Sequence, residues 1–518
     1  MVMITYIKRF KAEEYLILFI SFASQVIYFF SVRISFECDS GAYYNTAVGY
    51  FTGNISLVSP YRGPTYPFLL KFFGLIDYGW IYPLLIFQFV LGCLMPLIFY
   101  RIVSKVSKSF AIFALALFIT SAIPFTSAKL LLAEQTFIFF IVLSIYQLQK
   151  FLINRNYLNL CLFVVPLLIA CFTRWEGLAL VAGSIAIFSI YSIKDRSFSK
   201  YLAALLLSLG LVFSTYAGLR AYFAKDIKLF SLQNGTGGQW LWRQYYSQGF
   251  RDFEGEIEKA TGAFKGRSIQ SLYELTVTYI NKNDNEFIEL QKTAEDSRSL
   301  DFDNVQKMSK SIDNIEILIN DAWKEATVSG SHIAFIMNRA AISKFGLAGS
   351  DRFLQRASVD ILLNESNARQ VVFDQGLSLI GFGETGFGNL DLHQRIQWFE
   401  GPSLNIGGCL QATKNESFIS NHNAMYHFYS DSVHKYSSIL RNLVRATFPF
   451  LLIFWLFGSI RYRKVTILSS ILMVSLLTNI AIVSITGGGP WGKYDLTIFT
   501  YLILSVFTNP NLLMNKLK

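Results

Sequence analysis

Five places in this chain hold residues able to do chemistry at the edge of an apolar run. Asp39 follows the first such run, with Glu37 two positions before it. Arg62 opens an Arg-Gly-Pro-Thr-Tyr-Pro turn at 62–67. Lys129 and Glu134 flank the start of a later run, in SAKLLLAEQTF. Arg174 and Glu176 stand in FTRWEGL, and Lys493, Tyr494 and Asp495 in GGGPWGKYDL. An ionised side chain at the centre of a membrane helix costs ~2.5–3.5 kcal/mol on insertion scales, so charges kept in or beside spans are candidates for function. A carboxylate can take the proton of a hydroxyl. Arginine offers a bidentate fork to a phosphate and lysine a point charge. These residues together suggest a site that handles an anionic group and moves a proton. The plainer alternative is a set of snorkelling charges that mark helix ends. Asp39 is set apart from it by standing in a patterned loop away from a helix end, and Glu37 is its competitor.

The elements that must position these residues are apolar. The 518-residue chain is 53% hydrophobic and 16% charged, where a soluble domain carries about 25% charge. Ten runs approach or reach the ~17–25 residues that cross a bilayer: 15–31, 80–100, 109–123, 131–147, 157–173, 177–193, 201–219, 444–460, 465–485 and 494–508. The apolar stretch 66–76 is short and reads as a re-entrant or interfacial helix. The fold class expected is an all-α integral membrane protein. No cleavable signal peptide is read; the first run looks like a retained helix.

The net charge of +11 does not point to nucleic acid, because much of the lysine and arginine sits in short loops between runs. With the N-terminus inside, every inner segment is basic: Lys8, Arg9 and Lys11; Arg101, Lys105 and Lys108; Lys150 and Arg155; Lys194, Arg196 and Lys200; Arg461, Arg463 and Lys464; Lys516 and Lys518. That is the positive-inside pattern. It places both termini in the cytoplasm of a multi-pass protein, most simply in a bacterial inner or plasma membrane. Three parts result: an N-terminal membrane module, 1–219, with an outer first loop at 32–79; an extracytoplasmic, mostly helical domain, 220–443; and C-terminal membrane helices, 444–518. The 220–443 segment is too long and too patterned for a linker.

Of the five cysteines, Cys93, Cys161 and Cys171 lie in apolar runs and read as small core residues. Cys38 and Cys409 read as free thiols on the outer side. No metal-ligand spacing occurs; His427, Asp431 and His434 share a helical face but match no recognised ligand pattern. No cofactor is expected, with a divalent metal left open. GFGETGFG at 381–388 lacks the strand-turn-helix context of a dinucleotide loop and reads as a flexible turn.

Asp39, the tyrosine-containing stretch with Ala47, Gly53, Arg62-Gly-Pro-Thr-Tyr-Pro67 and the apolar run ending at Gly74 together resemble the GT-C family of glycosyltransferases. Its members include the protein O-mannosyltransferases and the lipid A aminoarabinose transferases. Glu134 resembles the family's second acidic position, although members often place Asp or Asp-Glu there. Arg174-Trp-Glu-Gly177 is similar to a basic-then-Gly turn between later spans, and Lys493-Tyr494 to a basic-Tyr pair opening a late span. The likeness covers about 1–220 well and the last three spans loosely; the 220–443 segment matches no fold.

The resemblance implies a GT-C-like bundle of about ten helices with an amphipathic first outer loop. It implies a hexosyl- or pentosyltransferase that moves a sugar from a polyprenyl-phosphate donor to a glycan, lipid or protein acceptor outside the membrane. Asp39 would be the base, with inversion at the anomeric carbon. Glu134 would assist acceptor positioning. Arg62, Lys129, Arg174 and Lys493, with Tyr494, would hold the donor phosphate. Two rivals stand beside it. A polysaccharide polymerase or ligase would centre its basic residues in the long loop. A lipid-linked sugar transporter or flippase would show inverted repeats and midplane charges, which this chain lacks.

Overall fold

The computed structural model describes residues 11–31, 35–36, 38–52, 63–120, 131–223, 411–412, 466–485 and 495–509, with scattered helical positions at 271–373 and 450–456. Two compact units divide the chain: 1–215 with 376–482 and 490–518, and 216–375 with 483–489. The candidate site belongs to the first unit. In the second, residues 353–360 are helical, and Ser358 Oγ donates to the carbonyl of Leu354.

The protein is an all-α integral membrane protein. Its described elements are α1 (Ala12–Ser31), β1 (Ser35–Phe36), α2 (Cys38–Thr52), α3 (Thr65–Phe72), α4 (Leu75–Tyr78), α5 (Tyr82–Ser104), α6 (Lys108–Thr120), α7 (Glu134–Asn154), α8 (Tyr157–Thr173), a 3₁₀ turn (Trp175–Gly177), α9 (Leu178–Lys194), α10 (Arg196–Phe223), β2 (Gln411–Ala412), α11 (Ile467–Ile485) and α12 (Asp495–Phe507). Tyr82–Ser104, Glu134–Asn154, Trp175–Ile193 and Phe198–Gly218 are, by length and composition, able to cross a membrane. Lys108–Ile119, Tyr157–Thr173 and Ile467–Ile482 are shorter apolar helices. Pro96 and Pro166 lie inside α5 and α8, a substitution membrane helices tolerate because neighbours satisfy the freed carbonyls. Asn156 caps α8, its Oδ1 accepting from the Asn159 amide at 2.8 Å.

Residues 66–76 do not form a span. The eight-residue α3 rises only about 12 Å, and α4 follows at once. Phe68, Phe72, Tyr78 and Trp80 are exposed here, and tyrosine and tryptophan gather at a membrane–water interface. On the other face Tyr66 and Leu70 pack with Tyr43 and Ala47 of α2, Leu84 of α5 and Leu131 to Ala133 ahead of α7.

Three expectations are corrected. Asp39 is not in a loop away from a helix end: it is the second residue of α2, where free amide groups and the helix dipole accommodate a carboxylate. Cys161 is exposed rather than in the core, while Cys93 is intermediate and Cys171 buried. A membrane helix turns apolar residues toward lipid as well as inward, so the run's composition did not separate the two. One antiparallel pair also exists in this helical chain: Ser35 faces Ala412 and Phe36 faces Gln411. It ties the stretch that ends three residues before Asp39 to the far part of the long segment.

Candidate active site

The site is built where α7 begins and α8 ends. Glu134 is the first residue of α7, and Arg174 follows the last residue of α8. Forty positions separate them in sequence, and their side chains form an ion pair, Arg174 Nη1 with Glu134 Oε1. The same guanidinium takes Glu176 from the adjacent 3₁₀ turn, Nη2 to Oε1 at 2.7 Å and Nε to the same oxygen at 3.3 Å. Side-chain exposures are 2% for Glu134, 9% for Arg174 and 15% for Glu176, so these are not snorkelling charges. Burial works against the charge on Arg174; Glu176 and Glu134 more than restore it and hold its pKa above the ordinary arginine range. Phe137, one turn into α7, lies beneath the guanidinium with its ring centre 5.9 Å away.

The first-loop helices reach this cluster through two tyrosines. The Tyr66 hydroxyl donates to Gln88 Oε1 at 2.7 Å, in the second turn of α5. Tyr43 meets the Tyr66 ring edge-on, with centroids 5.0 Å apart. Burial pushes the Tyr66 phenol well up, and the neighbouring Tyr43 and Glu134 push the same way. Asp39 precedes Tyr43 by four residues, one helical turn, and so shares its side of α2.

Gly63 explains how the Arg-Gly-Pro turn comes so close. A methyl group there would collide with the carbonyl of Phe172, and Thr65 Oγ1 donates to the carbonyl of Ile169 at 3.4 Å. The turn therefore rests directly on the backbone that ends in Arg174.

Of the expected residues, the structure brings Glu134 and Arg174 together, and places Asp39 by its backbone. Arg62, Lys129, Lys493 and Tyr494 lie outside the described residues, as do His427, Asp431 and His434. Arg174 was expected as a cation for phosphate, and its fork is engaged by two carboxylates. Tyr43 and Gln88 were not singled out in the sequence, and Tyr66 only as part of the 62–67 turn; a lone amide in the apolar stretch YPLLIFQFVLG is the signal that could have found Gln88. Among the described residues no group of three or more His, Cys, Asp or Glu side chains is arranged to hold a metal ion.

Residues 64–224 match the family of dolichyl-phosphate-mannose-protein mannosyltransferases. This segment is a GT-C superfamily domain. The match begins at Pro64, immediately after Gly63, and takes in Lys129, Glu134 and Arg174; Asp39, Arg62, Lys493 and Tyr494 lie outside it. No curated protein and no solved structure matches the chain. The matched family is one of mannosyltransferases with a lipid-linked sugar donor, and the apolar helices suit a multi-pass membrane protein.

Proposed function

We propose that this protein transfers a sugar from a polyprenyl-phosphate donor to a hydroxyl of a glycan, lipid or protein acceptor on the outer face of the membrane. The observation that carries this reading is the mannosyltransferase-family domain over 64–224, whose buried Glu134–Arg174–Glu176 cluster meets the first-loop helices through Tyr66. In the step itself, the Asp39 carboxylate takes the proton of the acceptor hydroxyl. The acceptor oxygen forms a bond to the anomeric carbon as the bond from that carbon to the phosphate oxygen breaks. Polyprenyl phosphate leaves with the bonding electrons. A single displacement of this kind inverts the anomeric configuration.

The leaving phosphate needs positive charge and little acid help. Arg62, Lys129 and Lys493, with Tyr494, serve it, while Arg174 holds the two carboxylates. The 411–412 strand beside 35–36 supports a role for the long segment in guiding the acceptor toward Asp39. Both termini are cytoplasmic, in a ten-span arrangement with 1–219, 220–443 and 444–518 as membrane module, outer domain and closing helices. A bacterial inner or plasma membrane is the setting.

The test is an assay of purified protein in liposomes against a panel of polyprenyl-phosphate sugars. Sugar transfer without movement of the lipid across the bilayer is expected. Lipid movement without transfer would replace the enzyme with a flippase.

A further inference from the structure

Antiparallel pairing fixes which residues of two strands face each other. Ser35 faces Ala412 and Phe36 faces Gln411, so each step forward from Phe36 is matched by one step back from Gln411. That register, carried on, sets Glu37 against Leu410 and Cys38 against Cys409. Cys409 lies outside the described residues; the register and the length of the chain bring it to Cys38. Each cysteine is two residues from the paired position beside it, so it stands within about 7 Å of that position. Because the strands are antiparallel, both cysteines leave the pair in the same direction.

Opposed Cα atoms in an antiparallel ladder are about 4.5–5.5 Å apart, inside the ~4.4–6.8 Å that a disulfide spans. α2 begins at Cys38, so the ladder has only Glu37 and Leu410 to pass before it reaches the cysteines. The other three cysteines are free and lie in the helices, Cys93 on α5 and Cys161 and Cys171 on α8. Two residues cannot cross a bilayer, so the strand pair puts Cys38 and Cys409 on one side of the membrane whichever way the protein faces. With the basic segments inside, that side is the outer one, where disulfides persist.

We propose that Cys38 and Cys409 form a disulfide bond, in place of the two free thiols expected from the sequence. The proposal rests on the outer placement of 220–443 given above. One thiolate attacks the disulfide of an oxidant, either a protein thiol oxidase or oxidised glutathione, and displaces one of its sulfurs as a thiol. The second thiolate attacks the mixed disulfide and displaces the other. The two cysteines lose two electrons and two protons, and the oxidant becomes two thiols. The bond closes a loop that holds most of the chain. It staples the far part of the long segment to the residue before Asp39.

The experiment uses full-length protein made in a host with an oxidising outer compartment, its free thiols blocked with N-ethylmaleimide before purification. Intact mass should show three blocked thiols, and reduction should release two more, to the five cysteines of the chain. In Cys38→Ser or Cys409→Ser four should be blocked and reduction should release none. Trypsin that cuts the wild type between the two cysteines should leave fragments that separate only after reduction. Five blocked thiols, even when oxidised glutathione is added ahead of the blocking step, would overturn the pairing. A bond that closes only with added oxidised glutathione would keep the pairing and overturn the outer placement, which labelling of Ser311→Cys checks independently. Released thiols that map to Cys93, Cys161 or Cys171 would overturn the proposal. So would a reducible dimer that disappears in Cys38→Ser, since the bond would then join two copies.

Discussion

Removing Arg174 strands the Glu134 carboxylate inside the protein. The Glu134 arm is the buried one, at 2% and 9% exposure for its two partners. Breaking a pair of that kind by deleting one member costs about 3–5 kcal/mol, because the other charge remains without compensation. The Glu176 arm is more open, at 15% for its carboxylate, and adds a smaller amount. Arg174→Ala should therefore remove a large share of the ~5–15 kcal/mol that holds a domain folded. The measurement is the apparent melting temperature of detergent-purified protein, followed by intrinsic fluorescence and checked for monodispersity. The sharper readout is a cycle with Glu134→Gln. In the Arg174→Ala background this second change removes the stranded charge, so the double variant should be more stable than Arg174→Ala alone, by roughly 1–3 kcal/mol. Arg174→Ala protein that melts with the wild type, or a double variant less stable than both singles, would refute the reasoning.

Four further outcomes are expected. Asp39→Asn should lower turnover by about 10²–10⁴-fold, the usual contribution of a general base, while donor binding persists; a larger loss in Glu37→Gln would transfer the role. Gly63→Ala pushes a methyl group onto the Phe172 carbonyl and should destabilise the protein by about 1–3 kcal/mol, as overpacking does, seen as a lower melting temperature together with lost transfer. Tyr66→Phe takes the donor from Gln88 Oε1 and should cost about 1–3 kcal/mol, with unaltered melting counting against that bond. A cysteine introduced as Ser311→Cys should react with an impermeant label in intact cells, and protection there would reverse the assigned orientation.

The helices were legible because crossing a bilayer demands long apolar runs, and α5 and α8 start within two residues of where hydropathy puts them. The pairing of Glu134 with Arg174 was not. Their 40-residue separation is set by how α7 and α8 pack, which no local pattern encodes. Glu176, two residues from Arg174, was visible as a partner, but one carboxylate suggests an anchored cation and two suggest a held pair of anions. The start of α2 was missed because the position before Cys38 is Glu37, not one of the Ser, Thr, Asp or Asn residues that announce a helix.

Gly183 has a consequence for how the protein is made. Any side chain there would strike Ser475 and the carbonyl of Ile471, so α9 and α11 approach each other backbone to backbone, as small residues permit in membranes. Yet Ser475 leaves the ribosome roughly 290 residues after Gly183, which at ~5–20 residues per second is a delay on the order of 15–60 s. During that interval α9 stands with this face uncovered, and the whole intervening segment must be made before the cover arrives. The nascent chain therefore passes through a long half-built stage in which the insertion machinery, or lipid, has to stand in for α11. Misassembly at that stage is where the cell's quality control would act on this protein.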